Sequence, residues 1–258
     1  MSKRKRWLIT TAVVVGIVSM IVAVVEIAGR PLVKSVAAGA IRENLHIPAT
    51  VPVEVDLDGS LTWQLLTGKF RNVGLQVPNY TVADGVTVNV NATFAGIGVN
   101  PTASTLDNGW AYVSMTHEQF REMAITLAGD WVDDVEFHDN RIIVHKSLTA
   151  FGSSVDASVE VQPLAGAGQT LLLNPVQISA GGITTTPEQL SHLSGGLLGE
   201  VASSFIEPYD ICFINYIPQG LQLRRVAVTE KEVRASFQID PEFLRDPQKR
   251  QPGTCAEH

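Results

Sequence analysis

Cysteine is nearly absent from this sequence: Cys212 and Cys255 are the only two in 258 residues. None lies near the N-terminus, which excludes the lipid-modified cysteine of a bacterial lipoprotein. In an oxidising compartment, two cysteines in an otherwise Cys-free chain point to one disulfide. Closing the 43-residue loop between them would stabilise the fold by about 3–4 kcal/mol through chain entropy. The alternative is a buried Cys212 with Cys255 free on a frayed tail. Positive charge is also scarce. There are 19 Lys and Arg against 26 Asp and Glu, a net charge of −7. Lys3, Arg4, Lys5 and Arg6 stand together at the N-terminus, and the rest of the chain carries 15 basic against 26 acidic residues, or −11. Such a chain repels phosphate backbones, so nucleic acid is excluded as a partner. Adhesion to anionic lipid by bulk charge is excluded too, and any lipid contact must be local or apolar.

Catalytic motifs are the third absence. His117-Glu118 opens like a zinc-protease helix, but Arg121 stands where the second His is needed. Gly96-Ile97-Gly98 lacks the third glycine of a dinucleotide loop and runs into Pro101. No phosphate-cradling Gly-Lys-Ser/Thr and no Gly-x-Ser-x-Gly elbow is present. Asp130, Asp133, Asp134, Glu136 and Asp139 cluster near Trp131 but lack the glycine and terminal Glu of a calcium loop, and read as a solvated acidic turn. His138 and His145 flank a β-turn with nothing to suggest ligation. The chain is therefore read as a non-enzyme with no cofactor and no metal.

What the sequence does have is apolar patterning. Trp7–Ile27 carries no charge before Glu26. Its uncharged run would rise about 28 Å as a helix, close to the hydrocarbon thickness of a bilayer. The basic residues before it would stay on the cytoplasmic side and place the remainder outside. An uncleaved signal anchor is expected. The alternative is a cleaved signal peptide, whose apolar core is usually shorter. The expected organisation is a basic tail at 1–6, a transmembrane anchor at 7–27, an extracytoplasmic domain at 28–248 and a disulfide-tied tail at 249–258.

Gly29-Arg30-Pro31 should interrupt the helix, after which Leu32, Val33, Val36, Ala37, Ala40, Ile41 and Leu45 form one helical stripe. Beyond Pro52 most of the chain alternates with period two, as in Val86–Phe94, where Val88, Val90, Ala92 and Phe94 interleave with Asn and Thr. This is the habit of antiparallel sheets with one apolar face. Turn signals stand at Asp84-Gly85, Asp139-Asn140 and 166–168. Two helices interrupt the strands, one opening at Thr116 and one at Thr186 with Pro187 in its first turn. Their openings, Thr-His-Glu-Gln-Phe and Thr-Pro-Glu-Gln-Leu, hint at a duplicated strand–helix–hairpin unit.

The block Gln64-Leu65-Leu66-Thr67-Gly68-Lys69-Phe70-Arg71 and the later Ile217-Pro218-Gln219-Gly220-Leu221, set between Cys212 and Cys255, resemble the LmeA-like phospholipid-binding family of actinobacterial cell envelopes. The resemblance covers roughly residues 30–255. It departs at Gly59-Ser60-Leu61-Thr62-Trp63, where the family tends to carry a Phe-Pro-Phe-type cluster. Trp63 is expected to take over part of that packing. The resemblance implies an α+β fold in which a long helix is embraced by a strongly curved antiparallel sheet, similar to tubular lipid-binding proteins. It also implies binding of anionic phospholipid, phosphoinositide-like in the best-known member, which supports mannan-chain elongation of lipoglycans.

On this reading Val36, Ala40, Val88 and Val90 or their neighbours line an apolar groove, although strand parity leaves the inward face open. Lys69 and Arg71, on one strand face by their two-residue spacing, flank the headgroup, with Arg225 as a further cation. The expected partners are phospholipid and, through the anchor, the cell membrane. The rival reading is a structural module that binds an envelope protein through a sheet edge; a third is a hydrolase of envelope lipid or glycan.

Overall fold

The computed structural model describes residues 15–16, 19–20, 22–45, 47–83, 86–150, 153–167, 169–191, 208–212, 214–215 and 217–255. The N-terminal helix does not break at Pro31. A π-helical turn, Val25–Gly29, runs straight into α1, Arg30–Leu45. Pro31 has no N–H and its ring crowds the carbonyl of Ile27, so an α-helix cannot pass it unchanged. The wider π turn immediately upstream absorbs the misfit.

The remainder is mostly β. In chain order come β1 (Glu54–Leu57), α2 (Leu61–Thr67), β2 (Lys69–Ala83), β3 (Val86–Gly98), β4 (Asn108–Thr116) and α3 (His117–Ala128). Next are β5 (Asp134–His138), β6 (Arg141–Ala150), β7 (Ser153–Ala165), β8 (Thr170–Ala180), β9 (Ile183–Thr185) and α4 (Pro187–Ser191). β10 (Tyr209–Cys212), β11 (Leu221–Val228) and β12 (Glu232–Ile239) complete the set. The strands form two six-stranded antiparallel sheets, one ordered β1-β2-β3-β4-β12-β11 and one ordered β10-β8-β7-β6-β5 with β9 on β8.

Register explains the core. Val55, Leu75, Ala92, Ala111, Phe237 and Leu223 stand opposite one another across all six strands of the first sheet. All six are buried. Cross-strand apolar pairs of this kind hold a register, because a one-residue slip would turn the row to solvent. A second cluster joins the two sheets: Val135 and Ile142 meet Val228 and Val233 under Phe120 of α3. Phe120 stands edge-on to Phe137 at 5.5 Å. The β5–β6 turn, with Asp139 and Asn140 at φ +43° and +63°, is a type I′ hairpin turn as its sequence indicates, and Asn140 Oδ1 accepts the Val228 N–H at 2.9 Å. The disulfide is formed between Cys212 and Cys255, and the tail is further tied by Gly253 N–H to Ile214 O at 2.9 Å.

The expected fold is corrected. No long helix is embraced by a strongly curved sheet: each sheet has two free ends and α1 lies on one side of the first sheet, with Ala37, Ala38 and Ile41 in its core. Leu32 and Val36, from the same expected stripe, are each 65 % exposed. A sheet on one side covers only half of the stripe. Among the described residues no helix is long and apolar enough to cross a membrane. Residues 1–14, 17, 18 and 21 of the basic tail and expected anchor lie outside the described residues. Its C-terminal end does not: Glu26 accepts hydrogen bonds from Ser60 and Thr62 and so belongs to the folded domain. The helix expected from Thr186 onward is described only as Pro187–Ser191, and 192–207 lie outside. Thr116 and Gln119 form a capping box, and Thr186 and Gln189 repeat its two hydrogen bonds.

Candidate functional site

A buried glutamine organises the region around the Gln64–Gly68 block. Gln64 is 2 % exposed. Its amide donates to Asp58 O and its Oε1 accepts the Arg71 N–H at 3.2 Å. One side chain thus clamps the turn before α2 to the start of β2. α2 opens on Ser60, whose hydroxyl accepts the Trp63 N–H at 3.3 Å, and closes on Gly68 at φ +72°. That left-handed C-cap suits glycine, which has no Cβ to clash there. Leu61 seals the inner face at 1 % exposed. Trp63, expected to take over the family's aromatic packing, is instead 65 % exposed, and Leu61 fills the core in its place.

Gly96 then turns the strands. Up to Phe94 the inward residues of β3 are even-numbered and those of β2 are Val73, Leu75 and Val77. Beyond Gly96, at φ +73°, Ile97 and Phe70 face the core instead. This change of parity leaves Lys69 and Arg71 outward. They line a cleft of about 510 Å³ with Asp58, Asn72, Ala95 and Asp107. A Cβ at Gly96 would fall 2.1 Å from Asp107 Oδ2, so only glycine admits the carboxylate here. Asp107 reaches Lys69 Nζ at 3.3 Å, an exposed pair worth at most about 1 kcal/mol. Arg71 has no ion-pair partner among the described residues. The cleft therefore offers two cations and two carboxylates, one cation being unpaired.

The N-terminal helix is latched to the rim of this cleft. Arg30 bonds Glu26 at 3.0 Å and donates to Leu57 O at 2.9 Å and to Gly59 O. Lys34 pairs with Asp56 at 2.6 Å, and the Lys34 ammonium holds the Asp56 carboxyl below its usual range.

The other sequence-derived site residues are dispersed. Val88 is buried at 2 % exposed and Val90 is half-buried, both on the inward face of the first sheet. Val36 and Ala40 lie on the exposed side of α1. Arg225 shares a cross-strand row with Ser236, Tyr112, Asn91 and Gln76. That puts it four strand spacings, about 19 Å, from β2, and about 23 Å further along it from Lys69. A β-bulge between Leu223 and Arg225 turns Arg224 and Arg225 outward together, with Arg224 bonded to Gln222 and Gln238. Sequence reasoning missed Gln64, Asp58, Asp107 and Glu26 as parts of this region. Gln64 alone carried a signal, inside a block already singled out; Asp58 joins it through its backbone carbonyl, and Asp107 and Glu26 are brought in by contacts 38, 34 and 36 residues apart. Among the described residues no group of three His, Cys, Asp or Glu side chains is placed to hold a metal ion.

Compared with known families, residues 24–238 match the family model described as LmeA-like phospholipid-binding. No curated protein and no solved structure matches the chain.

Proposed function

As the chain belongs to the LmeA-like phospholipid-binding family, we propose that it is a non-catalytic binder of anionic phospholipid, with the headgroup phosphate in the Lys69–Arg71 cleft. The match over residues 24–238 carries this reading, and the unpaired Arg71 supports it locally. Acyl chains would run over the exposed apolar surface at Val36 and Ala40; Val88 and Val90, on the inward face of the first sheet, are not part of that surface. The apolar sequence of 7–27 supports attachment to the cell membrane, and the disulfide supports an extracytoplasmic location. Service to envelope lipid or lipoglycan maintenance accords with both. Binding of a protein through a sheet edge is less favoured: the edge strands β1 and β10 have only four residues each, which leaves the eight-residue β11 as the longest edge, and the family match points to phospholipid.

The test is photo-crosslinking of the full chain, purified in mild detergent, with a phospholipid carrying a photoreactive headgroup. Crosslinks concentrated on peptides spanning 57–76 and 95–107, and lost in Lys69→Ala/Arg71→Ala, support the reading. Crosslinks confined to 7–24, or unchanged in the double variant, overturn the headgroup assignment.

A further inference from the structure

α2 is built the wrong way round for a surface helix. Its polar Gln64 is buried with Leu61, while Trp63, Leu65 and Leu66 are 65, 47 and 76 % exposed. A short amphipathic helix normally hides its apolar side, and a cluster of large apolar groups on the outside marks an interaction surface. The patch extends beyond α2. Val99, 53 % exposed, is bonded to Gly68 O at 3.1 Å, and Ile27, 78 % exposed, stands on the π turn against which α2 packs.

We infer that this shelf docks into the interfacial layer of a phospholipid bilayer. Two observations select lipid over another occupant. First, the patch surrounds the root of the longest apolar run in the chain: residues 7–25 carry no charge, and they lead directly into Gly29, which lies against Leu61 of α2. Glu26, held by Ser60 and Thr62, fixes the shelf to that root, so whatever receives 7–25 is met at once by Trp63 and Leu66. Second, the next outward residues after Gly68 are the cations Lys69 and Arg71. An apolar tip edged by Trp and basic side chains fits the boundary between acyl chains and headgroups, where indole and ammonium groups both find partners. The inference rests on the lipid-binding reading and adds the point of lipid entry: a headgroup at the shelf is beside the cleft.

The test uses the absence of free thiols among the described residues. Leu66→Cys and, as a distant control, Ile183→Cys, which is 65 % exposed in the second sheet, each add one labelling site to the full chain. Each variant is labelled with an environment-sensitive fluorophore and placed in nanodiscs of phosphatidylglycerol and phosphatidylethanolamine. The expected result is a blue-shifted emission at 66, lost when a nitroxide is attached near the lipid headgroup and retained when it is at the bilayer centre, with neither effect at 183. Equal, water-like emission at both positions overturns the inference. So does a shift at 66 that follows protein concentration and ignores the lipid quencher, which would mean that a second copy covers the patch. Photo-crosslinking in the same samples separates the two readings: a crosslinked cleft with an unquenched residue 66 removes the shelf and leaves lipid binding intact.

Discussion

Replacing Gln64 tests the organisation of the cleft most directly. The side chain is 2 % exposed and serves two backbone groups, Asp58 O and Arg71 N–H. In Gln64→Ala both groups lose their partner inside the protein. A net hydrogen bond is worth about 1 kcal/mol, and each backbone group left buried without one costs about 1–3 kcal/mol. The vacated volume adds a packing loss, offset by the smaller cost of burying alanine. The expected destabilisation is about 2–4 kcal/mol, which for a domain of this size lowers the midpoint of thermal unfolding by about 5–15 °C. Gln64→Met separates the two contributions, since it nearly refills the volume and makes neither bond. Thermal unfolding followed by near-ultraviolet circular dichroism on the full chain in detergent is the assay. Met is expected to fall close to Ala. A Met variant within about 0.5 kcal/mol of wild type would show that Gln64 is only a filler and that the clamp between Asp58 and Arg71 contributes nothing.

Gly96→Ala should destabilise by about 2 kcal/mol, from a Cβ forced into left-handed backbone, and should also displace Asp107 from Lys69; unfolding and headgroup crosslinking read the two effects. Cys212→Ser/Cys255→Ser should cost about 2–4 kcal/mol in denaturant unfolding, the lower end applying because the Gly253 N–H still donates to Ile214 O and the N–H of residue 255 to Asn215 Oδ1. The Lys146 ammonium and the Ser147 N–H lower the Asp133 carboxyl below its ordinary value, so its contribution is present above the unfolded value near 3.9 and is lost as pH falls through the folded one. The stability difference between wild type and Asp133→Asn should be level above about pH 5 and shrink below about pH 4, and acid titration of both proteins checks it. Arg225→Ala, across the sheet from the cleft, should leave headgroup crosslinking unchanged where Arg71→Ala diminishes it.

Alternation made most of the first sheet legible. Val88 and Ala92 are buried on the apolar face of the alternation, and that face excludes a one-residue slip of register. Alternation is interrupted at several backbone irregularities, and two of them matter at charged residues. Counting by twos from Val73, Leu75 and Val77 would send Lys69 and Arg71 into the core; the left-handed Gly96 reverses the parity and turns them out. Counting from Leu223 would bury one arginine of the pair at 224 and 225; the bulge exposes both. The spacing itself held the clue, because Leu223 and Val226 both face inward and an odd separation of three needs an extra residue in the strand. The helical stripe failed for a different reason. A periodic pattern gives the width of the apolar face and says nothing of the width of its cover, and one sheet covers Ala37, Ala38 and Ile41 while leaving Leu32 and Val36 outside.

Net charge misleads in the same way. A domain of −11 would be expected to repel an anionic headgroup, yet repulsion is decided within a Debye length of about 8–10 Å. Within the cleft two cations face two carboxylates, and the competition there is local. Asp107 already occupies Lys69. On the proposed reading a headgroup phosphate would engage Arg71 first, whose fork of donors suits phosphate oxygens, and then exchange with Asp107 for Lys69. The order makes Arg71 the residue whose loss weakens binding most, and makes Asp107→Asn a gain, since it removes the competitor without disturbing the glycine that admits it. Crosslinking yields should then rank Asp107→Asn above wild type, wild type above Lys69→Ala, and Lys69→Ala above Arg71→Ala. If Lys69→Ala proves the worst of the series, the ammonium is the primary contact and the pairing with Asp107 is no barrier to it.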